Sequence, residues 1–286
     1  MLRWDWLSPV VTVPYVPTLG PVHPDALSAE LFQAVLDVAG TGRFLPYDKD
    51  RRWSATKDEH VLVPEVIHQP DLTVIPTLTA RGGGLLKIHY YGEVRPPLDQ
   101  AAEWARKWST TYGTRPTARL IWFQSTPDGA RTRVMLKTFT SRDEREHSSV
   151  VPLTQCPAAD TFGTFAAQLD EGGFAFLHQR MKAGHDDGPV LVAVEDQRIV
   201  GAIGPLSTMT DATGRRHQPP QYFAVHPAHR GQGHGRALWQ AAMTWALRNG
   251  AAYKILQAAT GSPAERLYQS EGLTTLGFTC ARDITL

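Results

Sequence analysis

Cysteine is scarce in this chain. Cys156 and Cys280 are the only two among 286 residues, which excludes a disulfide framework and a cysteine-built metal cluster; both are expected to be packed thiols. An excess of charge is lacking too. Lys and Arg total 29 against 28 Asp and Glu, a formal net charge of +1, so no global field draws the chain to nucleic acid or a lipid surface. No stretch approaches the ~20 consecutive apolar residues of a membrane span. Met1-Leu2-Arg3-Trp4-Asp5-Trp6 opens without the apolar run of a signal peptide. The expectation is a cytoplasmic protein with no metal and no membrane partner.

The length exceeds what one average domain needs, and 42% of the residues are apolar, so two cored domains are the default. The first 24 residues read as an extended lead-in broken by prolines. Ser28 is placed to cap a helix running to about Ala39, stopped by Gly40 and Gly42. Residues 43–59 are charged and irregular. Residues 61–63 and 72–75 are expected as short strands cut by proline, and Arg81-Gly82-Gly83-Gly84 as a turn ahead of a strand over 85–94. A helix over 98–112 and strands over 120–125 and 133–140 follow. Pro127-Asp128-Gly129 between those two strands is a hairpin signal. Residues 1–145 thus predict an α+β domain, and the charged run 141–149 a structureless linker.

One stretch of this first half is locally basic. Between Trp104 and Arg142 stand Arg106, Lys107, Arg115, Arg119, Arg131, Arg133, Lys137 and Arg142 against one acid, Asp128. Trp104, Trp108, Tyr112, Trp122 and Phe123 are interleaved. Cations with aromatics suit a nucleic-acid surface; the same pattern is a solvated face above an apolar core, and that is the preferred reading.

The second half carries the chemistry. Short strands over 190–194 and 199–206 meet at Glu195-Asp196-Gln197-Arg198, a hairpin signal. Helices are expected over 161–169 and 174–181, and a polar loop over 211–218. A strand then ends at Val225, followed by His226-Pro227-Ala228-His229-Arg230-Gly231-Gln232-Gly233-His234-Gly235-Arg236 and an apolar helix that Asn249-Gly250 ends. Glycines between a strand and a helix N-terminus let backbone N–H groups close around an anion, usually a phosphate. The loop lacks the Gly-Lys-Ser/Thr of a Walker loop, and its G-x-G-x-G spacing does not fit the dinucleotide fingerprint. Three histidines here (His226, His229, His234) raise the thought of a metal, but such a loop turns its N–H groups inward and its His side chains mostly outward. After a strand over 253–258, Ser262 and Pro263 open a further helix as N-cap and first residue; 276–286 supplies the last strands.

Arg230, Gly233 and Gly235 satisfy R/Q-x-x-G-x-G/A. With Val225 and Pro227 ahead, and the element order over residues 150–286, the chain resembles the GCN5-related N-acetyltransferases, the GNAT superfamily. A second segment, Ala264-Glu265-Arg266-Leu267-Tyr268-Gln269-Ser270-Glu271-Gly272-Leu273, is similar to the family's A-x-x-L-Y-x-x-x-G-F helix. Leu273 stands where Phe is usual, and Gly261-Ser262 where Asn is common. The resemblance implies an α/β fold of mixed (α+β) sheet over 150–286, beside a separate N-terminal α+β domain that covers the acceptor site, dimerises, or is a degenerate GNAT-like copy. It implies acetyl-CoA or another acyl-CoA as co-substrate and direct transfer to a primary amine of a small molecule. Gly231, Gln232, Gly233, His234, Gly235 and Arg236 would hold the pyrophosphate, with Arg230 shaping the loop. Backbone N–H groups about Phe223 to Val225 would face the thioester, Ser262 would contact the coenzyme, and Tyr268 would be the acid for the leaving thiolate. The strand before the loop carries no carboxylate, so His217, His226 or water is left as the base. Two alternatives stay open. One is a GNAT-fold enzyme drawing on aminoacyl-tRNA through the basic stretch from Arg106 to Arg142. The other is a CoA-binding module without turnover. A homodimer is compatible with either.

Overall fold

The structure, a computed structural model, describes residues 12–80, 84–92, 95–145, 149–169 and 173–286. The first eleven residues, Arg81-Gly82-Gly83 of the expected turn, Glu93 and Val94, part of the expected linker (residues 146–148) and Gly172 lie outside the described residues.

The chain opens with β1 (Tyr15–Val16), β2 (Gly20–Pro21) and α1 (Ala29–Ala39). Then come β3 (Glu59–Val61), β4 (Ile67–Gln69), β5 (Leu72–Thr79) and β6 (Leu85–Gly92), with α2 (Leu98–Tyr112), β7 (Thr117–Gln124) and β8 (Thr132–Thr138) after them. The second half runs β9 (Val150–Pro152), α3 (Phe162–Ala167), α4 (Gly173–Lys182), β10 (Leu191–Glu195), β11 (Arg198–Gly204), β12 (Met209–Thr210), β13 (Arg216–Gln218) and β14 (Tyr222–Val225). It ends with α5 (His234–Arg248), β15 (Tyr253–Ala259), α6 (Pro263–Ser270) and β16 (Thr274–Thr285). The fold is mixed α/β. No described helix is long and apolar enough to cross a membrane.

Packing divides the chain into two compact units that do not follow its order. One joins the residues up to Leu136 with Ile255–Leu286; the other is Lys137–Lys254. In the first unit, β6 and β7 run parallel, and the connection between them is α2, which buries Ala101, Ala105 and Trp108. Ser28 caps α1 through a 3.1 Å bond from Leu31 N–H, and the helix buries Leu31, Phe32, Val35 and Leu36. Strand β5 is longer than its sequence suggested and runs through Pro76. Its other neighbours there, β4 and β3, are separate short strands, and the Pro76 carbonyl accepts from Leu62 N–H at 2.9 Å where they break. The donor that proline lacks is therefore missing on the side where no continuous strand asks for it.

Two expectations fail in this unit and the linker. The Pro127-Asp128-Gly129 turn forms, with Ala130 N–H bonded to Pro127 O at 2.9 Å and Gly129 at φ 64°, but it makes no hairpin. Strand β16 lies between β7 and β8 and pairs antiparallel with both. A turn fixes local direction and not partner choice, and the twelve-residue β16 pairs along the whole of β7, from Thr117 to Gln124. The run 141–149 is not structureless either. It contains a 3-10 turn with a Thr140–Asp143 capping box, Lys137 pairs with Asp143 at 2.6 Å, and Thr244 on α5 donates to the Asp143 carbonyl at 2.8 Å.

The second unit is built on a four-stranded sheet ordered β14-β11-β10-β9, antiparallel throughout. Strands β10 and β11 join through Asp196 and Gln197, both left-handed at φ 47° and 59°, the two-residue turn whose twist suits a hairpin. Phe162, Phe165, Phe174 and Leu177 from α3 and α4 pack with Val192, Ile199 and Ala202. Of the expected polar loop over 211–218, residues 211–215 are the turn of a ribbon, and 216–218 form its second strand, β13, against β12. Asp211 closes it by accepting from the N–H groups of Thr213 and Arg215, a local turn that a polar composition conceals.

Helix α5 approaches β11 closely at Gly201. A Cβ there would meet Leu238 Cδ1 at 2.8 Å and the Ala224 carbonyl oxygen at 3.3 Å, and Leu238 is fully buried. Gly201→Ala is expected to destabilise this unit by about 1–3 kcal/mol through overpacking, read as a lowered denaturant midpoint. An unchanged midpoint would show that the helix yields freely.

Candidate active site: a split strand and an open helix end

Two consecutive prolines shape the site. Pro219 and Pro220 separate β13 from β14, and neither has an N–H to give a neighbouring strand. Before them, β13 pairs parallel with β15, His217 opposite Tyr253 and Gln218 opposite Lys254. After them, β14 pairs with β11. The chain changes partner at the prolines, so β14 is an end strand of its sheet. The buried ammonium of Lys254, 1% exposed, holds the changeover by donating to Pro219 O at 2.9 Å and Gln221 Oε1 at 2.5 Å.

The register decides which groups of β14 are free. His226 N–H bonds Val200 O at 2.8 Å, and the pairing continues without a shift through Ala224–Ala202 and Tyr222–Gly204. In an antiparallel ladder bonded and non-bonded pairs alternate. The N–H and C=O of Phe223 and Val225 therefore point away from β11, to an edge that no strand among the described residues pairs. The Val225 carbonyl accepts from Arg230 Nε at 3.2 Å, which ties the glycine loop back to that edge.

The loop itself is shaped by glycine. Gly231 and Gly233 have φ of 81° and 92°, a region that side chains disfavour, and a Cβ on either would meet nothing within 4 Å. Gly233 is the N-cap of α5, with no side-chain capping bond and no acid in the first turn. Ala237 N–H reaches Gly233 O at 3.1 Å, and the N–H groups of His234 and Gly235 stand ahead of the helical ladder that begins there. This end of a helix favours negative charge, yet the chain places His234 and Arg236 there. The combination is poor for an isolated helix and suited to an anionic ligand.

His226 turns back, its Nδ1 accepting from Ala228 N–H at 3.3 Å to cap a 3-10 turn over Pro227–His229. His229 and His234 both meet Glu195 at the end of β10, His229 Nδ1 at 2.7 Å and His234 Nε2 at 3.3 Å from the same Oε2. The His229 hydrogen bond, ahead of that from His234, holds the Glu195 carboxyl below its ordinary range. Among the described residues no group of three or more His, Cys, Asp and Glu is arranged to hold a metal ion. His217 stacks on Tyr253 with ring centroids 5.3 Å apart. Burial chiefly, with Lys254 nearby, pushes its pKa down to about 4 against the pull of Asp211.

The structure thus brings Phe223, Val225, Arg230, Gly231, Gln232, Gly233, His234, Gly235 and Arg236 onto one strand, loop and helix end. Ser262 and Tyr268 belong to α6 in the other unit. Ser262 Oγ accepts from Glu265 N–H at 3.1 Å, so its hydroxyl is a helix cap. Tyr268 is buried, and burial pushes its pKa up to about 12. Sequence reading missed Glu195 and Lys254. A lysine inside an apolar strand was a signal for the second; Glu195 read only as a turn residue.

The family model for the acetyltransferase (GNAT) domain matches residues 186–274. No curated protein matches the chain. Among solved structures, a GCN5-related N-acetyltransferase from Sphaerobacter thermophilus is 14% identical, with 88% of this chain and 91% of that chain covered and a TM-score of 0.45. A tandem GNAT protein from the clavulanic acid biosynthesis pathway is 15% identical over 74% of this chain and 79% of its own, at 0.44. A ribosomal-protein-alanine N-acetyltransferase from Brucella melitensis biovar Abortus 2308 is 21% identical over 43% and 88%, at 0.32.

The depressed His217 has a measurable consequence. Between about pH 6.5 and 4 the unfolded chain binds a proton at this position that the folded one does not, so stability falls as pH is lowered through that window. The loss is on the order of 3 kcal/mol at most. His217→Phe, which keeps a ring on Tyr253, is expected to flatten that part of the stability–pH curve. Parallel curves for the two proteins would contradict the assignment.

Proposed function

We propose that this chain, whose residues 186–274 match the family model of the acetyltransferase (GNAT) domain, transfers an acetyl or other acyl group from acyl-CoA to a primary amine of a small molecule. The observation that carries the reading is the end of α5. The N–H groups of His234 and Gly235 stand ahead of the helical ladder, and a glycine loop and two basic side chains stand where an isolated helix would prefer acids. That is a cradle for a pyrophosphate.

In this reading the rest of the donor lies along the open edge of β14, where the outward N–H groups of Phe223 and Val225 are the free donors. A thioester carbonyl gains negative charge as an amine attacks, and a fixed backbone N–H stabilises that charge without reorganisation. Holding both reactants in one complex supplies much of the rate by proximity. The amine must arrive neutral. His217 is unprotonated at pH 7 and can accept its proton, but a conjugate acid near 4 makes it a weak base, which favours an acceptor amine that itself loses a proton readily. His226 is less suited, since its Nδ1 is engaged in capping. When the C–S bond breaks, the thiolate takes a proton; Tyr268, kept fully protonated by burial, is the proposed donor.

The basic stretch gives the tRNA alternative little support. Lys107, Arg119, Arg133 and Lys137 are paired with Glu65, Asp283, Glu265 and Asp143, acids that lie outside the stretch in sequence. Trp108 is buried, Trp104 stacks on it, and Tyr112 and Trp122 pack on the same core. The aromatics serve the interior more than a stacking surface.

Calorimetric titration with acetyl-CoA is expected to give micromolar binding that Gly233→Asp abolishes, because a carboxylate is added to the cradle at a left-handed position. Tyr268→Phe is expected to lower kcat about 100-fold or more while CoA affinity holds. Binding without any turnover on an amine panel would favour the non-catalytic module; binding of aminoacyl-tRNA in place of CoA would overturn the donor.

A further inference from the structure

We infer that Glu195 is a positioning residue for the acyl donor: a single carboxylate oxygen ties both ends of the glycine loop and sets its shape before ligand arrives. This rests on the reading of the loop as the pyrophosphate cradle.

The geometry is specific. Glu195 Oε2 takes His229 Nδ1 at 2.7 Å and His234 Nε2 at 3.3 Å. His229 ends the 3-10 turn before the glycines and His234 is the first residue of α5. Between them lie Arg230, Gly231, Gln232 and Gly233, of which the two glycines sit in the left-handed region. A segment with that freedom is costly to order when a ligand binds. Fixing its ends beforehand lowers that cost. Glu195 is itself held. It closes the β10–β11 hairpin opposite Arg198, whose turn is set by two left-handed residues.

A carboxylate beside a phosphate site would otherwise be a liability, since like charges repel. Here one of its oxygens, Oε2, is engaged by the two imidazoles of the loop. The sense of its contribution is therefore positional, and the charge itself works against the ligand. That separates two substitutions. Glu195→Gln keeps an acceptor oxygen and removes the charge; Glu195→Ala removes the tie altogether. At 37% side-chain exposure, either variant should fold.

The experiment is calorimetric titration with desulfo-CoA of the wild type, Glu195→Gln and Glu195→Ala, together with steady-state kinetics and amide hydrogen exchange of the ligand-free proteins. Glu195→Ala is expected to bind about tenfold more weakly, with the loss in KM for the acyl donor rather than in kcat, and with faster exchange across residues 229–236. Glu195→Gln is expected to stay within about threefold of wild type and to keep wild-type exchange. Equal binding and exchange in all three proteins would overturn the proposal. So would tighter binding in both variants, which would mean that only the charge matters. If the wild type binds no CoA, the functional reading fails, and the exchange comparison still tests the tie alone.

Discussion

Proline at 219 and 220 denies the chain two consecutive N–H donors in the middle of what would otherwise be one strand. The sheet cannot continue with the same partner across that gap. Residues before the prolines pair with β15, and residues after them pair with β11. The open edge of β14 follows directly, and the candidate chemistry depends on it. A strand paired on both sides would have spent the N–H groups of Phe223 and Val225 on its neighbours. Lys254 is the counterpart of this gap: a buried cation anchored on the Pro219 carbonyl and the Gln221 side chain. Ions are rarely buried without such partners.

The helix end and the strand edge act together in the same unit. Arg230 links them by donating to the Val225 carbonyl, and Gly201 allows α5 to lie close on β11. Loop shape is fixed from three directions: the Arg230 tie, the His226 cap and the Glu195 bridge. The last two use side chains that the glycine motif does not name.

Much of this was legible in the sequence because it is local. Ser28 and Ser262 cap the helices they precede, α2 runs over the span its apolar spacing suggests, and the glycine loop stands between a strand and a helix. These features depend on residues a few positions apart. What was not legible is long-range. Nothing near Pro127-Asp128-Gly129 announces that β16, at the far end of the chain, will separate the two strands. The cations from Arg106 to Arg142 look unbalanced until Glu65 is seen to serve Lys107, Asp283 to serve Arg119 and Glu265 to serve Arg133. Glu195 meets His229 and His234 only once the hairpin and the loop have folded.

The central claim is that the outer edge of β14 and the first turn of α5 together receive an acyl-CoA. Residue-resolved amide hydrogen exchange with and without desulfo-CoA tests it most directly. Added protection is predicted at Phe223, Val225, His234 and Gly235, with little change at Ala224, whose N–H already faces β11. Protection spread evenly over Phe223, Ala224 and Val225, or absent from both the strand and the helix end, would contradict it.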